Sequence, residues 1–281
     1  MKKPEDNNNP RVSIIIPTYN RVKMLEKSIE SVFAQSYKDW ELIIIDDAST
    51  DETEERMKQL SSREKSVRYM RIPKIVGKGI SEYLNIGLRN SKGEYIARID
   101  DDDFWCHKDK LKMQVEFLDE NPEYVVVGGG VILVDENGTE LFRYLKKETD
   151  EEIRRFALFS NPFTHATVMF RKETAIKLGG YRIMKHVEDM ELWLRMGKVG
   201  KLYNMKEYFI TYMTAGQNKS FLQQRENSRT VVDVVKMHGK HYPNFRKAYT
   251  LNYIQYSYSF LPVFIKKHLQ SFMYYFKRKN F

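Results

Sequence analysis

With one cysteine, Cys106, in 281 residues, the chain cannot form an intramolecular disulfide. That usage suits a reducing compartment. Long apolar runs are also missing. No stretch reaches the roughly 18 residues that a membrane-spanning helix needs, and the opening MKKPEDNNNP lacks the apolar segment of a signal peptide. The expected location is cytosolic, either free or peripheral at the inner face of the cell membrane. Neither GxxxxGK[ST] nor GxGxxG occurs, so P-loop and dinucleotide chemistry have no support. One region lacks acid altogether: from Lys236 to Phe281 there are nine Lys or Arg and no Asp or Glu. Residues 1–235 hold 38 basic and 38 acidic residues, so the whole net charge of +9 sits in the last 46 residues.

A 42% hydrophobic fraction allows a sizeable core. The first hundred residues alternate in type. VSIIIPTYN opens with an apolar run, Val12 to Ile16, which Pro17 is expected to end because proline cannot donate to a sheet ladder. A helical face of Val22, Leu25, Ile29 and Val32 follows, with Asn20 as candidate N-cap. Leu42 to Ile45 form a second strand, and Ser49 or Thr50 can cap a helix from near Asp51. VRYMR, a helix around Ile80 to Arg89, and the strand EYIARI complete an α/β pattern. Apolar strands alternating with helices imply parallel pairing, because parallel strands need crossover connections.

Ligands of such sheets bind outside the carboxyl ends of the strands. Three strands carry polar residues there: Thr18-Tyr19-Asn20, Asp46-Asp47 and Asp100 to Asp103. Four consecutive aspartates repel one another unless a hard cation or hydrogen bonds compensate. Mg²⁺ or Mn²⁺ prefers oxygen ligands, usually one or two carboxylates plus substrate phosphates. An acid run alone is more often a solvated turn. Three polar strand ends on one rim point instead to a metal–diphosphate site.

VSIIIPTYNR, SVFAQSY, WELIIIDDASTDET, LNIGLRNSKGEYIARIDDDD and VEDMELWLR, in that order and spacing, resemble the family-two inverting glycosyltransferases of the GT-A fold, mostly bacterial enzymes of surface-polysaccharide synthesis such as lipopolysaccharide or capsule. The resemblance spans about Val12 to Met213. It implies an α/β nucleotide-diphospho-sugar transferase fold with a mainly parallel sheet flanked by helices. The corresponding divisions are a flexible N-terminus (1–10), a nucleotide-sugar-binding half (11–103), an acceptor-binding half of the same domain (104–215) and a helical, basic, aromatic tail (216–281). The implied activity is metal-dependent hexosyl or N-acetylhexosaminyl transfer from a UDP-sugar to a glycan or lipid-linked acceptor.

Carried over residue by residue, the resemblance implies that Tyr19 stacks on the base, with Pro17 and Thr18 lining the pocket. Asp47 accepts from the uracil N–H, with Asp46 as the alternative. Both acids could instead cap the following helix. Asp100-Asp101-Asp102 overlies the DxD motif; Asp102 is the best metal ligand, and Asp100 or Asp101 faces the ribose or a metal-bound water. The family often has a small residue where Asp101 stands, and the register is open by one. Arg98 faces the diphosphate or makes a strand-face ion pair. Asn85 lies near the donor or packs its helix. His165 is a metal ligand, a diphosphate contact or a core histidine. Gly180 and Tyr181 border the acceptor, with Trp193 on the same side. Asp189 is the catalytic base, Glu188 the alternative, and both suit a helix first turn in any case.

Apolar helical faces are expected at Leu111, Val115 and Leu118, and at Leu192, Trp193 and Met196. A strand is expected at THATVMFRK. The three glycines of YVVVGGGVILVD suggest close backbone approach or a bulge. In the tail, Tyr249, Tyr253, Tyr256, Phe260 and Phe264 recur on one helical face that Pro262 interrupts, and FIKKHLQSFMYYFKRKNF interleaves aromatic and basic residues. That mixture suits an anionic membrane surface. Nucleic acid is not expected, since no binding motif accompanies the charge. The competing reading is a non-enzymatic basic protein that binds membrane or nucleic acid from an α/β scaffold.

Overall fold

The computed structural model describes residues 9–75, 77, 79–213 and 224–261. The segment FIKKHLQSFMYYFKRKNF, with Phe264 and Pro262, lies outside them. The strands are β1 (Val12–Thr18), β2 (Trp40–Asp46), β3 (Val67–Arg71), β4 (Tyr95–Arg98), β5 (Asp103–Trp105), β6 (Tyr124–Val134), β7 (Glu140–Tyr144), β8 (Met169–Arg171) and β9 (Lys201–Met213). The helices are α1 (Val22–Phe33), α2 (Thr53–Arg63), α3 (Gly79–Asn90), α4 (Lys110–Glu120), α5 (Asp150–Phe156), α6 (Lys172–Lys177), α7 (Glu188–Met196), α8 (Gln224–His238) and α9 (Phe245–Tyr258).

All nine strands join one sheet in the order β3-β2-β1-β4-β8-β6-β9-β5, with β7 paired to β6. The first four are parallel, as the apolar runs and intervening helices require. Beyond β4 the sheet is mixed: β8 is antiparallel to both neighbours, while β6 and β9 are parallel. Alternation places Ile14, Ile16, Leu42 and Ile44 on one face with α1 and α4, and Ile15, Ile43 and Ile45 on the other with α3 and α7. Each such isoleucine, fully buried, contributes roughly 1.5–3 kcal/mol.

Four local expectations are corrected. Pro17 lies within β1 rather than ending it. Ile15 O accepts from Ile99 on the β4 side and Thr18 O from Asp47 on the β2 side, so Pro17 faces β4, whose register with β1 stops at Ile15. Its missing N–H therefore breaks no ladder bond. Asn20 does not cap α1; at φ 52° its Oδ1 accepts instead from the Thr50 backbone N–H at 2.7 Å, tying the first strand end to the second. Asp51, not Ser49 or Thr50, accepts from the first turn of α2, through the Thr53 N–H and hydroxyl. Only Met169–Arg171 of THATVMFRK is strand, because His165–Thr167 turn as a 3-10 helix.

The expected core faces of α4 and α7 are buried, including Leu111, Val115, Leu118, Leu192, Trp193 and Met196. The glycine run of β6 has both expected features. Its register against β9 shifts between Gly128 and Gly130, and a Cβ on Gly129 would run into the Phe209 ring. Helices α8 and α9 pack back on the domain: Val234, Val235, Tyr242 and Ala248 share a cluster with Met190 and Leu194 of α7. The Tyr242 hydroxyl donates to Leu194 O at 2.9 Å. Among the described residues no helix is long and apolar enough to cross a membrane.

Candidate active site

The parallel half delivers its strand ends to one rim, and a cleft of about 340 Å³ opens there, lined by Pro17, Thr18, Tyr19, Asp47, Tyr83 and Asp100 among others. Tyr19 is exposed, with the Lys74 ammonium 5.3 Å from its ring centroid. Asp47 accepts from the Tyr83 hydroxyl, which in turn accepts from the Ile75 N–H at 3.0 Å. Burial, and then the bond to Asp47, push the Tyr83 phenol up to about 12. Asp46 is placed differently. It is fully buried, one oxygen takes Ser49 N–H and Oγ, and the other takes the Tyr69 hydroxyl at 2.5 Å. It shapes the turn after β2 and does not line the cleft.

The four aspartates divide by orientation. Asp101 and Asp103 are buried. Asp101 accepts from the Thr18 hydroxyl at 2.9 Å and from Arg21 at 2.9 Å. Asp103 lies in β5; burial and then the Asp100 charge raise its carboxyl well above the usual range, which favours the neutral form. The Ser28 hydroxyl ties the turn by donating to Asp100 O and Asp103 O. Asp100 and Asp102 point outward, their side chains 36% and 42% exposed against 8% for Asp101. Arg98 chelates Asp100, and Arg21 reaches Asp102 at 2.6 Å. The open pair thus has the alternate spacing of a DxD motif.

Two outward carboxylates with oxygen-only chemistry fit a hard divalent cation that completes its shell with phosphate and water. Among the described residues no three His, Cys, Asp or Glu side chains converge into a protein-only metal group. His165 meets other side chains at its ring. Its Nε2 lies 2.9 Å from the Tyr181 hydroxyl, its ring is edge-on to Trp193, and burial followed by the Arg98 charge hold it well below its usual range.

Asn85 does not reach the donor cleft. Its amide donates to Tyr181 O at 2.7 Å and accepts from Tyr181 N–H at 2.8 Å. It clamps the turn in which Gly180, at φ 69°, packs against it; a Cβ there would collide with Asn85 Oδ1. Tyr181 and Trp193 are buried, so neither presents its ring at a surface.

Helix α7 presents Glu188 and Asp189. The Asp189 carboxylate accepts from the Asn161 amide at 2.6 Å and from Met190 N–H at 2.7 Å. Burial raises its carboxyl, and those two donors, with the Arg98 and Lys146 charges, oppose the rise. Glu188 is pushed up to about 7 by burial and then by Asp189. Two carboxyls so close share protons as a pair, and the donors Asn161 and Met190 N–H favour the charged form at Asp189. Sequence reasoning missed Arg21, Tyr83, Lys146 and Asn161. Arg21 stands in the quoted YNR, but only the fold brings it to the aspartates; the other three carry no local signal.

Residues 13–179 match the family described as Glycosyl transferase family 2. The chain belongs to that family. This glycosyltransferase is 39% identical over 205 residues to the putative glycosyltransferase EpsE of Bacillus subtilis, covering 72% of each chain. It is 32% identical over 191 residues to the amylovoran biosynthesis glycosyltransferase AmsE of Erwinia amylovora, covering 67% of this chain and 70% of the relative. Among solved structures it resembles S. aureus TarS 1-349 in complex with UDP-GlcNAc (TM-score 0.63, 19% identity, 80% of this chain and 66% of the other). It also resembles the mannosyltransferase PcManGT of Pyrobaculum calidifontis in complex with GDP-Man and Mn²⁺ (TM-score 0.66, 18% identity, 91% and 76%). The expected GT-A architecture, a curled α/β sheet flanked by helices, is the fold of this glycosyltransferase.

Proposed function

We propose that the protein is an inverting glycosyltransferase that moves a hexosyl or N-acetylhexosaminyl group from a UDP-sugar to a hydroxyl of a glycan or lipid-linked acceptor in bacterial surface-polysaccharide synthesis. The observation that carries this reading is the outward pair Asp100 and Asp102 after β4, with Asp100 lining the same cleft as Tyr19 and Asp47. The UDP-GlcNAc of one structural neighbour and the Mn²⁺ of another support the donor and the metal, and the name of AmsE supports the polysaccharide setting.

In this reading Tyr19 stacks on the base and Asp47 accepts from its ring N–H. Asp102, with Asp100, would hold Mn²⁺ or Mg²⁺, which would supply positive charge for the leaving diphosphate. Asp189, ionised and aimed by Asn161, takes the proton from the attacking hydroxyl as the glycosidic bond to the donor phosphate breaks. Glu188 keeps its proton near neutrality and so spares Asp189 a full like charge. No covalent intermediate is required. The basic residues after Leu261 hold the enzyme at the cytoplasmic face of an anionic membrane.

The test is calorimetric titration of UDP with Mn²⁺ or Mg²⁺, followed by chelation, and then a hydrolysis screen of nucleotide sugars. UDP affinity that vanishes with EDTA supports the enzyme. Indifference to UDP, together with polyanion affinity that falls steeply with salt, would favour the scaffold reading.

A further inference from the structure

The two outward acids of the rim are each held by an arginine, and the two arginines differ in freedom. Arg98 chelates Asp100 through both terminal nitrogens, and its own side chain is 5% exposed. Arg21 holds Asp102 at 2.6 Å and Asp101 at 2.9 Å, and its side chain is 39% exposed. Arg21 also lines the donor cleft, with Thr18, Tyr19, Asp100 and Asp101. One nitrogen, Nη1, makes both of its bonds, and among the described residues the Nη2 and Nε donors make none. Those idle donors belong to a planar fork whose geometry matches a phosphate as well as a carboxylate.

The backbone under Arg21 is pinned, so its side chain is the part free to turn. Its carbonyl accepts from Leu25 N–H at 2.9 Å where α1 begins. On either side, Asn20 N–H donates to Ser49 Oγ at 2.9 Å and Val22 N–H donates to Asp51 at 3.2 Å. The two carboxylates that Arg21 touches are unequal. The Asp101 side chain is 8% exposed and is fixed by the Thr18 hydroxyl at 2.9 Å. The Asp102 side chain is 42% exposed, and among the described residues Arg21 is its one side-chain partner. A hard divalent cation prefers carboxylate oxygen and carries more charge than a guanidinium. Of the two carboxylates, Asp102 is the one that such a cation can reach and take.

We infer that Arg21 is a donor-binding residue that changes partner: it holds Asp102 until a divalent cation takes that carboxylate, then stays on Asp101 and gives its Nη2 and Nε donors to the diphosphate of the nucleotide. The inference rests on the cleft taking a nucleoside diphosphate with the cation at Asp102. Asp101 is then the fixed anchor of a phosphate-binding arginine rather than a further metal ligand. Two effects of opposite sign follow, since Arg21 competes with the cation alone and assists the nucleotide.

The experiment uses the full chain at one pH. Binding of Mn²⁺ without nucleotide is followed by electron paramagnetic resonance, and binding of UDP and of uridine with Mg²⁺ present by calorimetry. Arg21→Met should bind Mn²⁺ alone about fivefold more tightly, because a positive charge beside Asp102 is gone. The same variant should bind UDP about tenfold or more weakly and uridine as the wild type does. Arg21→Lys keeps the charge without the fork, so it should bind Mn²⁺ as the wild type does and recover part of the UDP affinity. Arg56→Met, on α2 and paired with Glu52, controls for general charge. Mn²⁺ affinity in Arg21→Met that is unchanged or weaker, or equal losses for UDP and uridine, overturns the inference; an arginine that only props the loop would lower every affinity together. Wild-type UDP binding in the same samples separates this failure from failure of the functional reading, and thermal melts confirm that each variant is folded.

Discussion

Asn161 donates its side-chain amide to Asp189 at 2.6 Å across 28 residues of sequence. It fixes the orientation of a carboxylate that burial alone would drive toward the neutral form. Asp189→Asn should lower turnover by roughly 10²–10⁴ with UDP affinity unchanged. Asn161→Ala should lower turnover less and move the acid limb of the rate profile upward, since the charged form loses a donor. Steady-state kinetics across pH check both; an Asn161→Ala enzyme with the wild-type profile would disconnect the amide from catalysis.

The acid run separates a structural carboxylate from an exposed one. Asp101→Ala removes the partner of Thr18 and Arg21 and should destabilise by about 1–3 kcal/mol, read as a lower melting temperature without ligand. Asp102→Ala should leave the melt near wild type and abolish the part of UDP binding that depends on Mn²⁺ or Mg²⁺. Calorimetry with and without EDTA distinguishes them. If Asp102→Ala binds UDP as the wild type does with metal, Asp102 is not a ligand.

Glu188 carries a pH signature. A base acts deprotonated, so the acid limb of kcat/KM should lie above the ordinary carboxylate range, where burial holds Asp189, and a second inflection should appear near 7 as Glu188 loses its proton beside it. Glu188→Gln should remove the inflection near 7 and keep the lower limb. Stability runs the opposite way. The folded-state value lies above the ordinary 4.5, so the folded protein binds the proton more tightly and stability is lost as pH rises from 4.5 toward 7. Glu188→Gln should therefore gain melting temperature over wild type at pH 8 relative to pH 4. A pH-independent difference would contradict the burial argument.

Two truncations separate packing from surface charge. Ending the chain before Tyr242 removes Tyr242 and Ala248 from the cluster on α7, and the protein should aggregate or melt early. Ending it after Leu261 keeps that cluster and removes Lys266, Lys267, Lys277, Arg278 and Lys279. This shorter form should still bind UDP and lose salt-sensitive binding to anionic vesicles. Vesicle co-sedimentation that is unchanged would place the membrane contact elsewhere.

The strands and crossover helices were legible because burial on both faces writes Val12–Ile16 and Leu42–Ile45 as continuous apolar runs. The acids of the rim were legible as a group, but not their division. Asp46 and Asp47 look alike in sequence and part only because Tyr69 and Tyr83 come from different elements to meet them. For Asn85 and His165 the sequence leaves ligand contact and packing both open, and each meets Tyr181, a partner 96 residues from one and 16 from the other. Asn161 and Lys146 carry no periodic or motif signal and join the site only when the β7–α5 segment and the following turn come together around Asp189.

The family match ends at residue 179, nine positions before α7 begins. Helix α7 is bound in both directions. Glu191 receives Arg195 at 2.8 Å and lies 3.1 Å from the His238 ring nitrogen of α8. Arg195 reaches back to Leu178 O and Gly180 O at 2.6 Å each. A chimera joined between 180 and 187 would thus exchange Asp189 together with α8 and α9, and would have to rebuild the Arg195 grip on a foreign turn. Exchanging the segment before α7 among relatives therefore requires the seam to fall where no side chain reaches back over it. Through Arg195 and Glu191, α7 ties Leu178 to His238, and an exchange that moves one without the other breaks that tie.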